Sequence, residues 1–337
     1  MRDYNGGAVI GFSQVIMHLG DFARELRFCG EDIVRFSPDA VILIDYPGFN
    51  FRVAEFAHKK GFRVFYYIAP KVWASREGRI RKLKAFVDKL FIVFPFEQEY
   101  FTRKGVDWIY KGNPLIDAID SDPGMQMTRE EFFRRNNLED RRFVVILAGS
   151  RKGEVSCMMP VCTAFADSLR STPGYEDMQF IIAGAPSRRA EDYSPYLEGR
   201  RDYMRVIFGQ TYPLMRFACA AVVNSGTASL ETALAGTPQV ACYSGSDFNF
   251  NVAKNIIKIE YISLGNLILG RKAFRELLQY HFTPENLTDE VIRLISDEGY
   301  RARMKEDYAE IRRRLGGSGA SEAVARAMLE ELRSKEA

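Results

Sequence analysis

The chain has 337 residues, 47% apolar and 27% charged, an ordinary globular balance with length for about two domains. A formal net charge of +3 excludes a nucleic-acid binder that works by bulk charge. Five cysteines with no CxxC pair, and three histidines far apart in sequence, argue against a structural zinc site and for reduced core thiols.

Residues 10–36 read as a helical segment. Short β-branched runs then alternate with amphipathic stretches. Residues 40–44 read as a buried strand, followed by the turn Tyr46-Pro47-Gly48 and a helix over 51–60. Strands are expected at 63–68, 89–94 and 107–110, with helices at 76–85 and 96–104. Residues 120–127 (Asp, Ser, Pro, Gly, no apolar period) have a linker's composition. The pattern restarts with a strand at 143–147, a turn at Gly149-Ser150-Arg151 and a helix at 155–169. Further strands fall at 179–183, 205–208, 221–223 and 239–242, with a helix at 227–235 between the last two. The tail from 289 to 336 is helical and charged. Two Rossmann-like halves joined near 125 account for this order. The expected division is 1–125, 126–300 and a helical tail 301–337 that packs back on the first domain. The first half is short: a doubly wound domain opens with a strand and a Gly-rich turn, and the expectation is that this opening piece is absent.

Three constellations carry chemistry. Asn224-Ser225-Gly226-Thr227-Ala228-Ser229-Leu230-Glu231 follows a strand and opens a helix. Free N–H groups at a helix start bind anions, Ser225 and Thr227 add hydroxyls, and Glu231 can accept from ribose hydroxyls. A plain helix cap at Ser225 or Thr227 fits equally well at this stage. Gly149-Ser150-Arg151 ends another strand, where open α/β sheets bind ligands, and Arg151 can clamp a diphosphate. Asp45 ends the strand at 40–44, where a partly desolvated carboxylate facing an interdomain cleft would serve as a general base. Asp120-Ser121-Asp122 matches a metal-binding DxD pattern, yet it sits in the expected linker before Pro123-Gly124 and reads as a turn. The basic runs Arg76–Lys84 and Arg312-Arg313-Arg314 read as solvated helix faces, with attraction to phosphates or an anionic membrane as the alternative.

The ordered blocks resemble the lipid-A-disaccharide synthase family over most of the chain. They are Ala8-Val9-Ile10-Gly11-Phe12, Pro38-Asp39, Ile44 to Asn50, Ala69-Pro70-Lys71-Val72-Trp73-Ala74 and Phe94-Pro95-Phe96-Glu97. Gly149-Ser150-Arg151 with Glu154, Ser225 to Ala228 with Glu231, Tyr261 to Leu267, Glu276, Gln279 and Thr283 to Leu287 complete them. Ser75 stands where a second Trp is common, and Asn113 where His is common. Family members begin with a strand and a Gly/Ser-rich loop upstream of the Ala8 block, which starts almost at Met1 here.

The resemblance implies an α/β fold of GT-B type, with two Rossmann-like domains facing a cleft and the N-terminal domain incomplete. It implies an inverting hexosyltransferase that needs no cofactor or metal. UDP-2,3-diacylglucosamine is the donor, diacylglucosamine 1-phosphate the acceptor, and the β-1,6-linked disaccharide and UDP the products. Asp45 would take the proton of the acceptor's 6-hydroxyl, and Arg151 would stabilise the departing UDP. Ser150, Ser225, Gly226, Thr227, Glu231, Asn266, Glu276 and Gln279 would bind substrate, Asn266 by contact with the donor. A homodimer is compatible with the family. No run of about 18 apolar residues and no signal-peptide pattern is present, so a cytoplasmic enzyme at the inner face of the inner membrane is expected. The apolar segment Val9–Phe22 followed by Arg24 and Arg27, or the run Arg76–Lys84, would meet that membrane. A UDP-sugar epimerase of the same fold class and a truncated, non-catalytic UDP-binding protein are the competing assignments.

Overall fold

The computed structural model describes residues 19–74, 76–244 and 260–334. They form two α/β units: one holds the residues up to Asn113 and those from Gly319 onward, the other Pro114–Ser318. The Ala8–Phe12 block, most of the apolar N-terminal segment and Ser75 lie outside the described residues.

The first unit is a parallel sheet in the order β1-β2-β3-β4, with β1 at Ala40–Ile44, β2 at Arg63–Tyr67, β3 at Lys89–Ile92 and β4 at Trp108–Tyr110. Side chains alternate across a strand, so each short apolar run serves two cores. Val41, Leu43, Val64, Tyr66, Leu90 and Ile92 face one way and pack with Phe51, Ala54, Leu83 and Phe101 of the helices. Phe65 and Phe91 face the other way and meet Val324, Ala327 and Met328 of the helix Ala320–Arg333. The preceding helix Glu298–Leu315 belongs to the second unit, where Met304, Tyr308, Ile311 and Leu315 are buried.

The second unit has six parallel strands in the order β10-β9-β8-β5-β6-β7. They are β5 Phe143–Leu147, β6 Gln179–Gly184, β7 Met204–Phe208, β8 Ala220–Asn224, β9 Gln239–Tyr243 and β10 Glu276–Leu278. The chain leaves β5 toward β6 and β7, then returns to its other side for β8, β9 and β10. The strand order therefore reverses between β5 and β8, the point at which open α/β sheets take ligands.

Residues 120–127, expected as a linker, are folded into the second unit. Asp120 ends the helix Pro114–Asp120, and Asp122 caps a 3-10 turn at Pro123–Met125 by accepting the Gly124 amide at 2.7 Å. Gly124 is there for closeness: a Cβ would lie 2.3 Å from Pro213. The DxD carboxylates are spent internally, since Asp120 also accepts from Arg312 and Ser318. The arginine run is likewise paired: Arg313 and Arg314 meet Glu310, and Arg314 donates to the Ile268 carbonyl at 2.8 Å.

Glu97 is fully buried. Its carboxylate accepts the amides of Val93 and Phe94 at 3.1 and 3.0 Å and the Trp73 indole N–H at 3.0 Å. Asn113, also buried, donates to the Val93 carbonyl at 2.9 Å. Burial outweighs these donors and raises the Glu97 carboxyl from 4.5 to about 7. The folded chain thus holds this proton more tightly than the unfolded chain. Its stabilising contribution is full below the ordinary value and is lost as pH rises through about 7. Calorimetric melts from pH 5 to 8 should show Tm falling across that window, by the equivalent of on the order of 2–3 kcal/mol, and Glu97→Gln should remove this component of the slope.

Candidate functional site

The loops after β5 and β8 flank the reversal in strand order. Register places Leu147 opposite Val223, so Gly149–Arg151 and Ser225–Thr227 leave the same end of the sheet, side by side. Gly149 makes this approach feasible. Its φ is +102°, and a Cβ there would lie 2.5 Å from the Glu154 carboxylate and 2.6 Å from the Asn224 amide. The loop after β6 joins them, since the Ser187 hydroxyl donates to the Ser150 carbonyl at 2.7 Å.

These two helix starts differ electrically. The helix Lys152–Arg170 supplies its own anion: Glu154 Oε2 accepts the Ser150 and Arg151 amides at 2.9 and 3.1 Å. Its Oε1 accepts from the Arg151 guanidinium at 2.7 Å, which still leaves the arginine side chain 61% exposed. The helix Thr227–Leu234 has no side-chain cap. Ser225 and Thr227 therefore do not cap it, and the Ser225 hydroxyl oxygen is buried without a partner. An uncapped helix start beside an unpaired hydroxyl and an exposed arginine has the donors that a phosphate group would need. Among the described residues of the second unit four more buried polar atoms lack partners: Arg188 Nε after β6, Gln210 Oε1 after β7, Ser263 Oγ at the start of the helix Leu264–Leu269, and Gln239 Oε1 at the start of β9. Buried polar groups are ordinarily paired, and the first three of these lie beyond strand ends, where a polar ligand could pair them. Spacing did not reveal Arg188, Gln210 or Ser263, because isolated polar residues in loops carry no pattern.

Glu231 is half-buried, and its Oε1 accepts from Tyr212 at 3.0 Å. Burial raises this carboxyl above its ordinary value, against the Tyr212 hydrogen bond. Asn266 is the residue that the resemblance assigns to donor contact. It is fully buried, and its amide is spent on the chain: Nδ2 donates to the Phe274 carbonyl and Glu276, while Oδ1 accepts from Ala273. Glu276 in turn accepts the Ile262 and Ser263 amides at 3.1 and 2.9 Å. Asn266 and Glu276 thus hold the helix start at Ser263 in place. Gln279 follows β10 with φ +49°, a left-handed conformation that is sparse for residues other than glycine.

In the first unit, Asp45 and Tyr46 follow β1 with φ of +45° and +43°, and Ile68 follows β2 with φ +59°. Such conformations cost about 1–3 kcal/mol each and persist only where neighbours impose them. Here the Asp45 carbonyl accepts from the Tyr66 hydroxyl at 2.6 Å and the Asn50 amide at 2.8 Å, and the Asp45 N–H donates to the Tyr67 carbonyl at 3.0 Å. The backbone is pinned while the carboxylate stays exposed. Asp45 thus sits, exposed, immediately after the C-terminal end of β1. Burial and the Asp45 carboxylate together push the Tyr66 hydroxyl well above its ordinary pKa.

Two parallel α/β units of this kind are the fold of GT-B-type UDP-sugar enzymes, glycosyltransferases and epimerases alike. The family described as lipid-A-disaccharide synthetase matches residues 3–330. The chain belongs to that family. The lipid-A-disaccharide synthase of Trichlorobacter lovleyi is 36% identical over 321 residues, covering 94% of this chain and 82% of that protein. That of Geobacter sulfurreducens is 35% identical over 326 residues, covering 96% and 83%. Among solved structures, a putative UDP-N-acetylglucosamine 2-epimerase from Listeria monocytogenes superposes with TM-score 0.66 at 14% identity, covering 93% of this chain and 78% of that one. The UDP-GlcNAc 2-epimerase from Neisseria meningitidis, bound to UDP-GlcNAc, gives 0.62 at 14%, covering 92% and 81%. At those identities the likeness is one of fold.

Gly149→Ala should lower stability by about 2–4 kcal/mol, since both its φ and its contacts resist a side chain. Urea unfolding checks this, with Gly153→Ala, which meets nothing within 4 Å, as the tolerated control.

Proposed function

We propose that this chain transfers 2,3-diacylglucosamine from UDP to 2,3-diacylglucosamine 1-phosphate, forming the β-1,6-linked disaccharide 1-phosphate and UDP. The observation that carries this, in a chain of this family, is the uncapped helix start at Ser225–Thr227 beside the exposed Arg151. In the proposed scheme the acceptor's 6-hydroxyl oxygen attacks C1 of the donor sugar while Asp45 accepts its proton. The bond from C1 to the UDP oxygen breaks with inversion, and its electron pair leaves with the diphosphate. Negative charge therefore grows on the phosphates, where Arg151, the Thr227 and Ala228 amides and the Ser225 hydroxyl act. Donors fixed in advance stabilise that charge more in the transition state than in the ground state. Ser150 and Gly226 contribute the close backbone, Glu231 a ribose acceptor, and Glu276 with Asn266 the placement of Ser263. Gln279 is proposed to contact the substrate.

The acylated substrates place the enzyme at the cytoplasmic face of the inner membrane as a peripheral protein. No helix among the described residues is long and apolar enough to cross a membrane. In the basic run, Arg76, Arg81, Lys82 and Lys84 are exposed, while Arg79 lies over the Phe51 ring at 5.7 Å. Binding to anionic vesicles through this run should weaken steeply as salt rises, and co-sedimentation in a salt series measures it.

Incubating the protein with the UDP-linked donor, with and without acceptor, and assaying UDP and disaccharide tests the reaction. Turnover of donor alone to an epimer would favour an epimerase instead. Asp45→Asn should lower kcat about 10²–10⁴-fold, and Arg151→Ala about 10²–10³-fold. Unchanged rates would remove both roles.

A further inference from the structure

We propose that the groove between the helices Leu19–Phe36 and Pro47–Lys59 seats an acyl chain of the phosphorylated acceptor. This rests on the transferase assignment, which requires an acceptor that is both acylated and anionic. The two helices run parallel. Phe22 meets Phe49 edge-on at 5.6 Å near their starts, Gly30 faces Phe56 in the middle, and Val34 and Lys60 share the far end. Between them lies a groove of about 600 Å³, within the range of small-molecule sites.

Its floor is apolar, formed by Leu26, Gly30, Val34, Val53 and Phe56. From Leu26 to Val34 it runs roughly 12 Å along the helix. Gly30 keeps it open, because a Cβ there would touch the Phe56 ring at 3.0 Å. Val34, at 49% exposure, is apolar surface that the described residues leave in water. The rim is cationic: Arg27, Arg35, Arg52 and Lys60 line it. The carboxylates beside them are Glu31, which faces Arg27 at 3.8 Å, and Asp32, which pairs with Arg35. An apolar floor with a surplus of cations at its edge matches an alkyl chain attached to a phosphorylated head group. The groove also has a direction. At its near end Arg52 stacks over Phe22 at 4.9 Å and donates to the Gly48 carbonyl at 3.3 Å, in the turn that follows Asp45. A chain lying in the groove thus brings its head group to the turn that carries the proposed base.

The test is calorimetric titration with dodecyl phosphate below its micelle concentration, beside decyl phosphate and neutral dodecyl maltoside. The wild-type chain should bind dodecyl phosphate at least tenfold more tightly than the maltoside, and lose about fourfold in affinity per methylene removed. Val34→Trp, which fills the groove from an exposed position, should abolish binding. Arg52→Glu, at the end of the groove where the head group lies, should erase the preference for phosphate. An unchanged melting profile and circular dichroism spectrum show that the variants are folded. Undiminished dodecyl phosphate binding by Val34→Trp would overturn the proposal. So would a change of Val34→Trp from dimer to monomer in sedimentation, which would make the groove a seat for a second copy. Release of Val34→Trp from phosphatidylglycerol vesicles with soluble-lipid binding intact would overturn it in favour of a membrane-facing surface. Groove-dependent binding without any disaccharide synthesis by the wild type would support the groove and sink the transferase assignment, so the two failures are distinguishable.

Discussion

Among the described residues, a glutamate side chain that grips two consecutive backbone amides at a turn recurs three times. Glu97 takes Val93 and Phe94, Glu154 takes Ser150 and Arg151, and Glu276 takes Ile262 and Ser263. Each grip satisfies donors that a helix start otherwise leaves open, and an unsatisfied buried amide costs about 1–3 kcal/mol. Each also fixes the path of the chain just before a helix. At Glu154 the grip has a chemical consequence. The amides that would have held a phosphate are occupied, so that loop offers the Arg151 side chain instead. The neighbouring helix start, at Thr227, carries no such carboxylate and no cap. One loop therefore presents a cation and the other presents amides, on adjacent strands at the same sheet end.

Much of this was legible in the sequence because it follows from short-range rules. The β-branched runs at 40–44, 143–147 and 220–224 are strands because each is apolar on both faces and bounded by turn residues. Gly149 and the Ser225–Thr227 segment stood out because a tight turn between strand and helix needs small residues. What the sequence hid depends on distant partners. Asn266 sits among small and apolar residues and reads as a polar loop position, yet it is buried because Phe274 and Glu276 surround it. β10 is three residues long and pairs with β9, too short for any periodicity. Asp120 and Pro123 mimic a linker because the residues that suit a loose chain also suit a cap and a tight 3-10 turn.

The first unit stores strain where the second stores unpaired polarity. Asp45, Tyr46 and Ile68 hold left-handed backbone at the ends of adjacent strands, and Tyr66 and Asn50 supply the hydrogen bonds that keep Asp45 there. A carboxylate on a pinned turn has a fixed origin, and this one stays exposed. The two units thus contribute different things to the proposed transfer: a positioned base from one, and a preorganised receptor for phosphate charge from the other.

The central claim is that a nucleoside diphosphate is held at the reversal of strand order between β5 and β8. Hydrogen–deuterium exchange with UDP and with uridine tests it most directly. UDP should slow exchange in residues 147–153 and 223–230, and uridine, which lacks the phosphates, should leave both segments unchanged. Protection by UDP elsewhere, with these two segments exchanging as in the free protein, would contradict it.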